Sequence, residues 1–563
     1  MGIKNYCKWI NTLDCKLSTD DNFKYDNIYI DMNHILYLCV NASNDLQGFF
    51  QDLEARINNI IKNYMAKKNY VFCFDGPAAY SKIILQKKRR MREIQTIIND
   101  NDELDNCEIN DSSSSCSTNY TDDTNNNTNN TNFDDLNTVE SKGSISFLSL
   151  TPGTPFMDNV MNYFKKLMEN IFSKFKYLKC THKILTSNLP DEGEIKVFNE
   201  LQKNAKLCPE DTHLVIGNDA DLIVLAVAIN IKSINVLTKY QSNYVLYSVD
   251  KFVDIIIRDY LHIDVQRFNN KDKLIYDLRN DISLLSLMLG NDYLPKVKLV
   301  TLNNIWSVYG TCFECLVSVN IENMSILYEY ETCFKNNKIN HDFLIKYFGT
   351  FMKLKKTKYG LKDYVKKSEI IKSYVDGILW CHNIYSQGFV REYDYVYEGE
   401  MLLIPDLYYY FLLTKQHIKN EDILSMPPPI NIYPLIVLPY KAKNLIYKEQ
   451  QELMDTTYNY LYEVENCSEC ANFNTSMKEI KKRLSTTTTE LNKKKLIYKN
   501  NNNDKTKNNI IFQEKKIKKI KLEQRKIITN YNNHRNTTHI NVNTFNKETI
   551  NNIISKYKSL NKT

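Results

Sequence analysis

The chain has 563 residues, 43% hydrophobic and 25% charged. That is too long for one core, which seldom grows beyond about 250–300 residues, so more than one compact unit is expected. No run of about 18 apolar residues is present. The start Met1-Gly2-Ile3-Lys4-Asn5-Tyr6 lacks both the apolar core of a signal peptide and the hydroxyl residue of a myristoylation site. The sequence therefore predicts an intracellular monomer, nuclear or cytoplasmic, that neither crosses nor binds a membrane and keeps its 14 Cys reduced. The net charge of +7 is unevenly spread: residues 478–526 hold 17 Lys+Arg against 5 Asp+Glu, while residues 100–140 hold 11 Asp+Glu and no Lys or Arg. A basic tail beside an acidic body fits a polyanionic partner and bound cations, and equally a solvated tail.

In chain order, residues 1–97 alternate apolar strands with amphipathic helices. Residues 98–148, rich in Asp, Asn, Ser and Thr, cannot bury enough apolar surface and read as a disordered acidic insertion. Apolar periodicity returns over 149–460. Residues 461–563, with runs such as TTTT and NNNN, read as a basic, mostly disordered tail with short helices. Short strands are predicted at Ile28–Ile30, Val71–Phe74, Lys183–Leu185 and Leu214–Ile216, each followed by acidic residues and a helical pattern. Strand, loop, helix, strand is the signature of an α/β fold with a mainly parallel sheet flanked by helices.

In such sheets ligands gather at the carboxyl ends of the strands. Those ends carry Asp31, Asp75, Glu192, Glu194, Asp219 and Asp221, and Asp292 follows the apolar run Ile282–Leu289. A lone Asp after a strand is ordinarily a helix cap. Repetition, and the Asp219-x-Asp221 pair, favour a cluster, which needs protons or cations to neutralise it. All-oxygen donors select two hard ions, Mg²⁺ or Mn²⁺, suited to phosphoryl chemistry.

After Asp75, the residues Lys82, Gln86, Arg89 and Arg90 recur at i, i+4, i+7 and i+8, one face of a helix. Four donors on one stripe form a candidate site for a terminal phosphate, and equally a solvated cationic face.

Taken together these motifs resemble the XRN family of 5′-3′ exoribonucleases. The resemblance rests on MGIKNYCKWI at the start, IDMN (30–33), FDGPAAYSKIILQKKRRMR (74–92), TPGTPFM (151–157), LPDEGEIK (189–196), GNDADLI (217–223) and LGNDYLP (289–295), with a weaker match over 374–388. It implies a PIN-like nuclease core split into residues 1–97 and 149–310, then a helical region over 311–460. It implies degradation of 5′-monophosphorylated single-stranded RNA to nucleoside 5′-monophosphates. By motif, Asp31, Asp75, Glu192, Glu194, Asp219, Asp221 and Asp292 are metal ligands, with Glu192, Asp219, Asp221 and Lys82 catalytic. Lys82, Gln86, Arg89 and Arg90 are the 5′-phosphate pocket.

The sequence departs from that pattern in places. Tyr37 stands where the family usually has a stacking His, Ile195 replaces another His, and Tyr393 and Tyr395 stand roughly where a Trp that stacks on bases is expected. The resemblance does not reach the long C-terminal domains of the cytoplasmic members, so a short form without them is expected. A flap endonuclease-type DNA nuclease is disfavoured because residues 296–310 lack a glycine-rich hairpin; an inactive RNA-binding scaffold of the same fold is disfavoured because all seven carboxylates are present. The Cys312/Cys315 and Cys467/Cys470 pairs have zinc spacing, but with 14 Cys such pairs arise by chance and structural zinc is not expected. KKIKKIK (515–521) reads as a solvated linker, a nuclear import signal or an RNA-affinity element.

Overall fold

The computed structural model describes residues 3, 6–18, 24–43, 45–90, 145–175, 179–219, 221–240, 243–322, 325–335, 338–355, 361–414, 424–458, 468–501, 504–537 and 546–560. The acidic insertion expected at 98–148 lies outside the described residues up to position 144. Two compact units are present: Met1–Glu452 with Ile550–Thr563, and Leu453–Thr549.

The first unit is built on a seven-stranded sheet of β1 (Lys16–Leu17), β2 (Tyr25–Asp31), β3 (Ala66–Cys73), β4 (Thr181–Leu185), β5 (His213–Ile216), β6 (Ile234–Tyr240) and β7 (Asn243–Ser248), in the order β1-β7-β6-β5-β2-β3-β4. The five strands from β6 to β4 are parallel, and β7 and β1 extend the β6 edge antiparallel. All four predicted strands fall on β2 to β5, with Phe74 one residue past β3. From β2 the chain moves outward through β3 and β4, then returns to the other side of β2 for β5 and β6. The β2–β5 boundary is therefore a topological switch point, where helices diverge and leave a crevice at the strand ends.

Both sheet faces are covered, which is why the central strands read as continuous apolar runs. Ile28, Ile30, Tyr70, Phe72, Leu214 and Ile216 face a core shared with α2 (Met32–Ala42), α3 (Leu46–Asn63) and, beyond α4 (residues 80–90), α5 (Pro155–Lys174). Helix α5 starts at a Thr154 cap bonded to the Met157 amide, with Pro155 in its first turn. It buries Met157, Val160, Met161, Phe164, Leu167, Met168 and Ile171, a 3.6-residue stripe in which each full burial contributes about 1.5–3 kcal/mol. Tyr29, Val71, Val215 and Val236, the alternate positions, face the second core with α1 (Tyr6–Ile10), α6 (Gly193–Leu207), α7 (Asp221–Ala228), α8 (Val249–Ile255) and α9 (Lys271–Leu287).

The same core runs on into the helical region, α10 (Leu302–Leu316), α11 (His341–Lys355), α12 (Leu361–Val365), α13 (Ser368–Gln387) and α14 (Ile404–Leu413). Two short hairpins, Ser318–Glu322 with Ser325–Glu329 and Phe334–Lys335 with Lys338–Ile339, interrupt it. Next come α15 (Tyr433–Val437) and α16 (Lys448–Asp455). No helix among the described residues is long and apolar enough to cross a membrane.

The second unit differs from the mostly disordered tail expected of the sequence. It contains two long helices, α17 (Ser468–Asn501) and α18 (Asp504–Thr537). Arg483 pairs with Glu523 and Lys495 with Glu514, so α17 and α18 run antiparallel. A last helix, α19 (Lys547–Leu560), buries Ile550, Ile553 and Ile554 in the first unit, where Asn551 accepts a bond from the Tyr80 hydroxyl.

Candidate active site

The acids are delivered by the sheet. Asp31 ends β2 and caps α2 through the Asn33 amide. Asp75 follows β3; it accepts the Gly193 amide at 2.6 Å and the Asn33 side-chain amide. Asp219 follows β5, and Asp221 opens α7. Glu192 precedes α6 and Glu194 lies in its first turn. Two glycines permit this convergence. A Cβ on Gly193 would stand 2.7 Å from Asp31 Oδ1 and 3.2 Å from Asp75 Oδ1. A Cβ on Gly76 would stand 1.7 Å from the Leu189 carbonyl, so only glycine lets the loop after β3 lie against the loop before α6.

Burial and mutual repulsion act on these carboxylates together. Burial, then Asp75, Asp219 and Glu192, push the Asp31 carboxyl well above its ordinary range. Burial, then Asp219, does the same to Glu194, and burial raises Asp75 and Glu192. Asp221 is pushed up to about 7 by burial and Asp219, although it accepts the Ile3 amide at 2.9 Å and the Tyr385 hydroxyl at 3.1 Å. Crowded acids hold protons when no cation offsets them.

Asp292 behaves oppositely. Burial would raise it, but Lys82 at 2.8 Å and Arg89 at 3.0 Å hold it below the usual range. Its loop is set by Gly290 in the left-handed region and by Asn291, whose side chain accepts the Tyr293 and Leu294 amides. Lys82 also reaches Glu192 at 2.6 Å. Burial would lower the Lys82 ammonium, but Glu192 and Asp292 outweigh that and raise it. Gln86 accepts the Tyr433 hydroxyl at 3.0 Å, and the Arg90 charge acts on both Tyr433 and Asp75. The four donors picked out by helical spacing thus lie on the side of α4 that meets the acids.

The aromatic candidates separate. Tyr37 is 45% exposed and its ring lies 5.6 Å from that of Phe147. Tyr393 and Tyr395 require correction as stacking residues. Tyr393 is 6% exposed and donates to Asp191; Tyr395 is 9% exposed, bonds the Ser373 carbonyl and lies 4.8 Å from the Trp380 ring. A base stacks only on an open ring face, which neither offers. The residue type alone does not distinguish a buried Tyr from an open one.

Several residues at the site were not singled out by the sequence. Asn33 bridges to Asp75, Tyr293 donates to Glu192 at 2.8 Å, and Tyr385 donates to Asp221. Asn33 and Tyr293 sit inside the IDMN and LGNDYLP motifs, so a polar residue beside a candidate ligand was the available signal. Lys196 donates to the Phe74 and Thr186 carbonyls, and burial lowers it to about 8. Cys312 is buried on α10 and Cys315 exposed, while Cys467 lies outside the described residues.

Residues 1–240 match the family model described as XRN 5′-3′ exonuclease N-terminus. That match covers 240 of the chain's 563 residues. Proteins similar to this chain include 5′-3′ exoribonuclease 1 of Saccharomyces cerevisiae, 23% identical over 318 residues, covering 50% of this chain and 18% of the relative. They also include 5′-3′ exoribonuclease 2 of Yarrowia lipolytica, 25% identical over 298 residues, covering 49% and 29%. The chain thus spans less than a third of the length of either. A solved structure of the catalytic core of Rad2 in complex with DNA substrate is 12% identical with a TM-score of 0.32, covering 79% of this chain and 100% of that one.

Proposed function

We propose that the chain is a divalent-metal-dependent 5′-3′ exoribonuclease that acts on single-stranded RNA bearing a 5′ monophosphate. The observation that carries this reading is the contact of Lys82 with both Glu192 and Asp292, and of Arg89 with Asp292. A cationic helix face for a strand terminus there abuts a pocket of acids.

The donor chemistry fits hard divalent ions: every candidate ligand is a carboxylate, and the raised proton affinities of Asp31, Asp75, Glu192, Glu194 and Asp221 mark uncompensated negative charge. Among the described residues, no three acid, His or Cys side chains are already gathered closely enough to hold an ion. Asp31, Asp75, Glu192, Glu194, Asp219 and Asp221 would hold two ions, Mg²⁺ or Mn²⁺, with Asp292 beside them. Such ions lower the proton affinity of water and offset charge on the leaving oxygen.

The chain's own residues supply the rest. Lys82 sits between the acids and the phosphate face, so it would approach the scissile phosphate while Gln86, Arg89 and Arg90 hold the terminal one. Arg offers a bidentate fork and Gln a neutral donor. Tyr37, beside Phe147, offers a ring face to the first base. Releasing a nucleoside 5′-monophosphate exposes a new 5′ phosphate for the same pocket.

The test is degradation of 5′-hydroxyl, 5′-monophosphate and 5′-triphosphate RNAs, each labelled at its 3′ end, with and without Mg²⁺. Mononucleotide release from the monophosphate form alone is expected. Equal degradation of the hydroxyl form would overturn the pocket assignment.

A further inference from the structure

The second unit carries a charged surface that the proposed active site does not use. On α17 the inward or buried positions are Phe473, Met477, Ile480, Leu484, Thr487, Leu491, Lys494 and Tyr498, spaced alternately four and three residues apart. On α18, Gln513, Ile517, Ile520, Gln524 and Ile527 repeat the spacing. This is the seven-residue repeat of a two-helix coiled coil. Ile480 and Ile520 are each 2% exposed.

The repeat sorts charge by face. The acids of α18 near its middle, Glu514 and Glu523, pair with Lys495 and Arg483 of α17. Lys515, Lys516, Lys518, Lys519, Lys521, Arg525 and Lys526 are exposed. They span roughly 17 Å of helix at a rise of about 1.5 Å per residue. Phe512, 64% exposed, stands one turn before them as an aromatic face among cations. Core positions tolerate Ile and Gln, so coiled-coil formation alone gives no reason for seven exposed cations over this stretch.

We propose that this face of α18 binds the phosphate backbone of single-stranded RNA without sequence preference, with Phe512 stacking on a base. Charge complementarity argues for the occupant: dense lysines with their neighbouring acids already paired fit a polyanion, and an aromatic among them fits unstacked bases rather than a duplex. The choice of RNA rests on the exoribonuclease reading.

The experiment uses the full chain in EDTA, so that no cleavage occurs, and a fluorescent 5′-hydroxyl oligouridine, so that no terminal phosphate contributes. Anisotropy titrations across a salt series compare wild type with a variant in which Lys515, Lys516, Lys518, Lys519, Arg525 and Lys526 are each changed to Gln. A second variant changes the five lysines to Arg, and circular dichroism verifies helicity in both. The Gln variant is expected to bind at least tenfold more weakly near 100 mM salt. Its slope of log affinity against log salt should fall by about four, since single strands contribute about 0.7 per neutralised phosphate. The Arg variant should stay within about twofold of wild type, and Phe512→Ala should weaken binding further. Unchanged affinity and slope in the Gln variant, or a loss seen only with phosphatidylserine vesicles or an import receptor, would overturn the proposal. Mg²⁺-dependent degradation is scored separately. Weakened binding in the Gln variant without nuclease activity in wild type would sink only the enzyme reading.

Discussion

The Lys82 ammonium lies 2.6 Å from a carboxylate oxygen of Glu192, with both side chains 9% exposed. Lys82 also touches Asp292. A single buried cation therefore links the loop before α6 to the loop after α9. Removing one member of a buried ion pair costs about 3–5 kcal/mol, because the other charge stays buried and unpaired. Lys82→Met is expected to lower the melting temperature measured in EDTA, and to slow single-turnover RNA cleavage by a hundredfold or more. Lys82→Arg should recover part of the stability but little of the rate, since a planar fork cannot replace a point charge between two acids. An unaltered melting curve for Lys82→Met would show that the pair does not hold these loops together.

Gly193 tests whether the acids must stand close. An added Cβ would meet Asp31 Oδ1 at 2.7 Å and the Cys73 carbonyl at 3.1 Å. Because the backbone there is fixed by the Gly193 amide bond to Asp75, the carboxylates must yield. Gly193→Ala is expected to keep the fold but to raise the Mg²⁺ requirement tenfold or more, read from the Mg²⁺ concentration that gives half-maximal cleavage. A half-maximal concentration equal to wild type would mean that the acids have room to spare.

The two buried tyrosines behind the acids yield a related prediction. Tyr385 orients Asp221 and Tyr293 orients Glu192 through single hydroxyl bonds. Groups that orient prospective metal ligands typically matter by 10–100-fold in affinity or activity. Tyr385→Phe and Tyr293→Phe remove one oxygen each without opening a cavity. Each is expected to raise the Mg²⁺ requirement by about that factor while leaving the affinity for RNA measured in EDTA within about twofold. A fall in RNA affinity of the same size would assign these tyrosines to the substrate instead.

How far the sequence reaches depends on whether a local signal dictates the outcome. Strands β2, β3 and β5 were legible because strands covered on both faces become unbroken apolar runs, such as Ile28-Tyr29-Ile30, while β4, at the sheet edge, was legible from its short Ile184-Leu185 end. Strands β6 and β7 lie inside the sheet but mix polar residues, Asn235 and Lys239 among them, into their apolar pattern, which left no unbroken run to read. The donor stripe of α4 was legible because 3.6 residues per turn fixes which side chains share a face. The α17–α18 repeat was missed because Thr487, Lys494, Gln513 and Gln524 occupy core positions and break the apolar pattern. Tyr393 and Tyr395 failed for another reason: whether a ring is open to a base depends on Trp380, Gly377 and Asp191, which are distant in sequence or hidden by helical phase.

A last prediction concerns stability away from the acids. Asp281 on α9 accepts the Tyr309 hydroxyl and, at 2.8 Å, the Cys333 amide, and burial pushes its carboxyl up to about 7. Its other oxygen is buried without a hydrogen-bond partner. Since an unfolded Asp titrates near ~3.9, the native state binds the extra proton between about pH 4 and pH 7. The contribution is therefore full below about pH 4, falls as pH rises toward 7, and is flat above that. Asp281→Asn keeps an acceptor and has no proton to lose. Between pH 5.5 and pH 8, the stability of wild type relative to Asp281→Asn should fall by about 2 kcal/mol, from about 1.4 kcal/mol per pH unit over the part of that interval below 7. Comparing the two proteins at each pH cancels the other titrating groups, including Lys87, which burial lowers to about 7 and which acts in the opposite direction. Urea unfolding of both proteins at the two pH values measures the difference, and a gap that does not change with pH would place the Asp281 carboxylate in its charged form throughout.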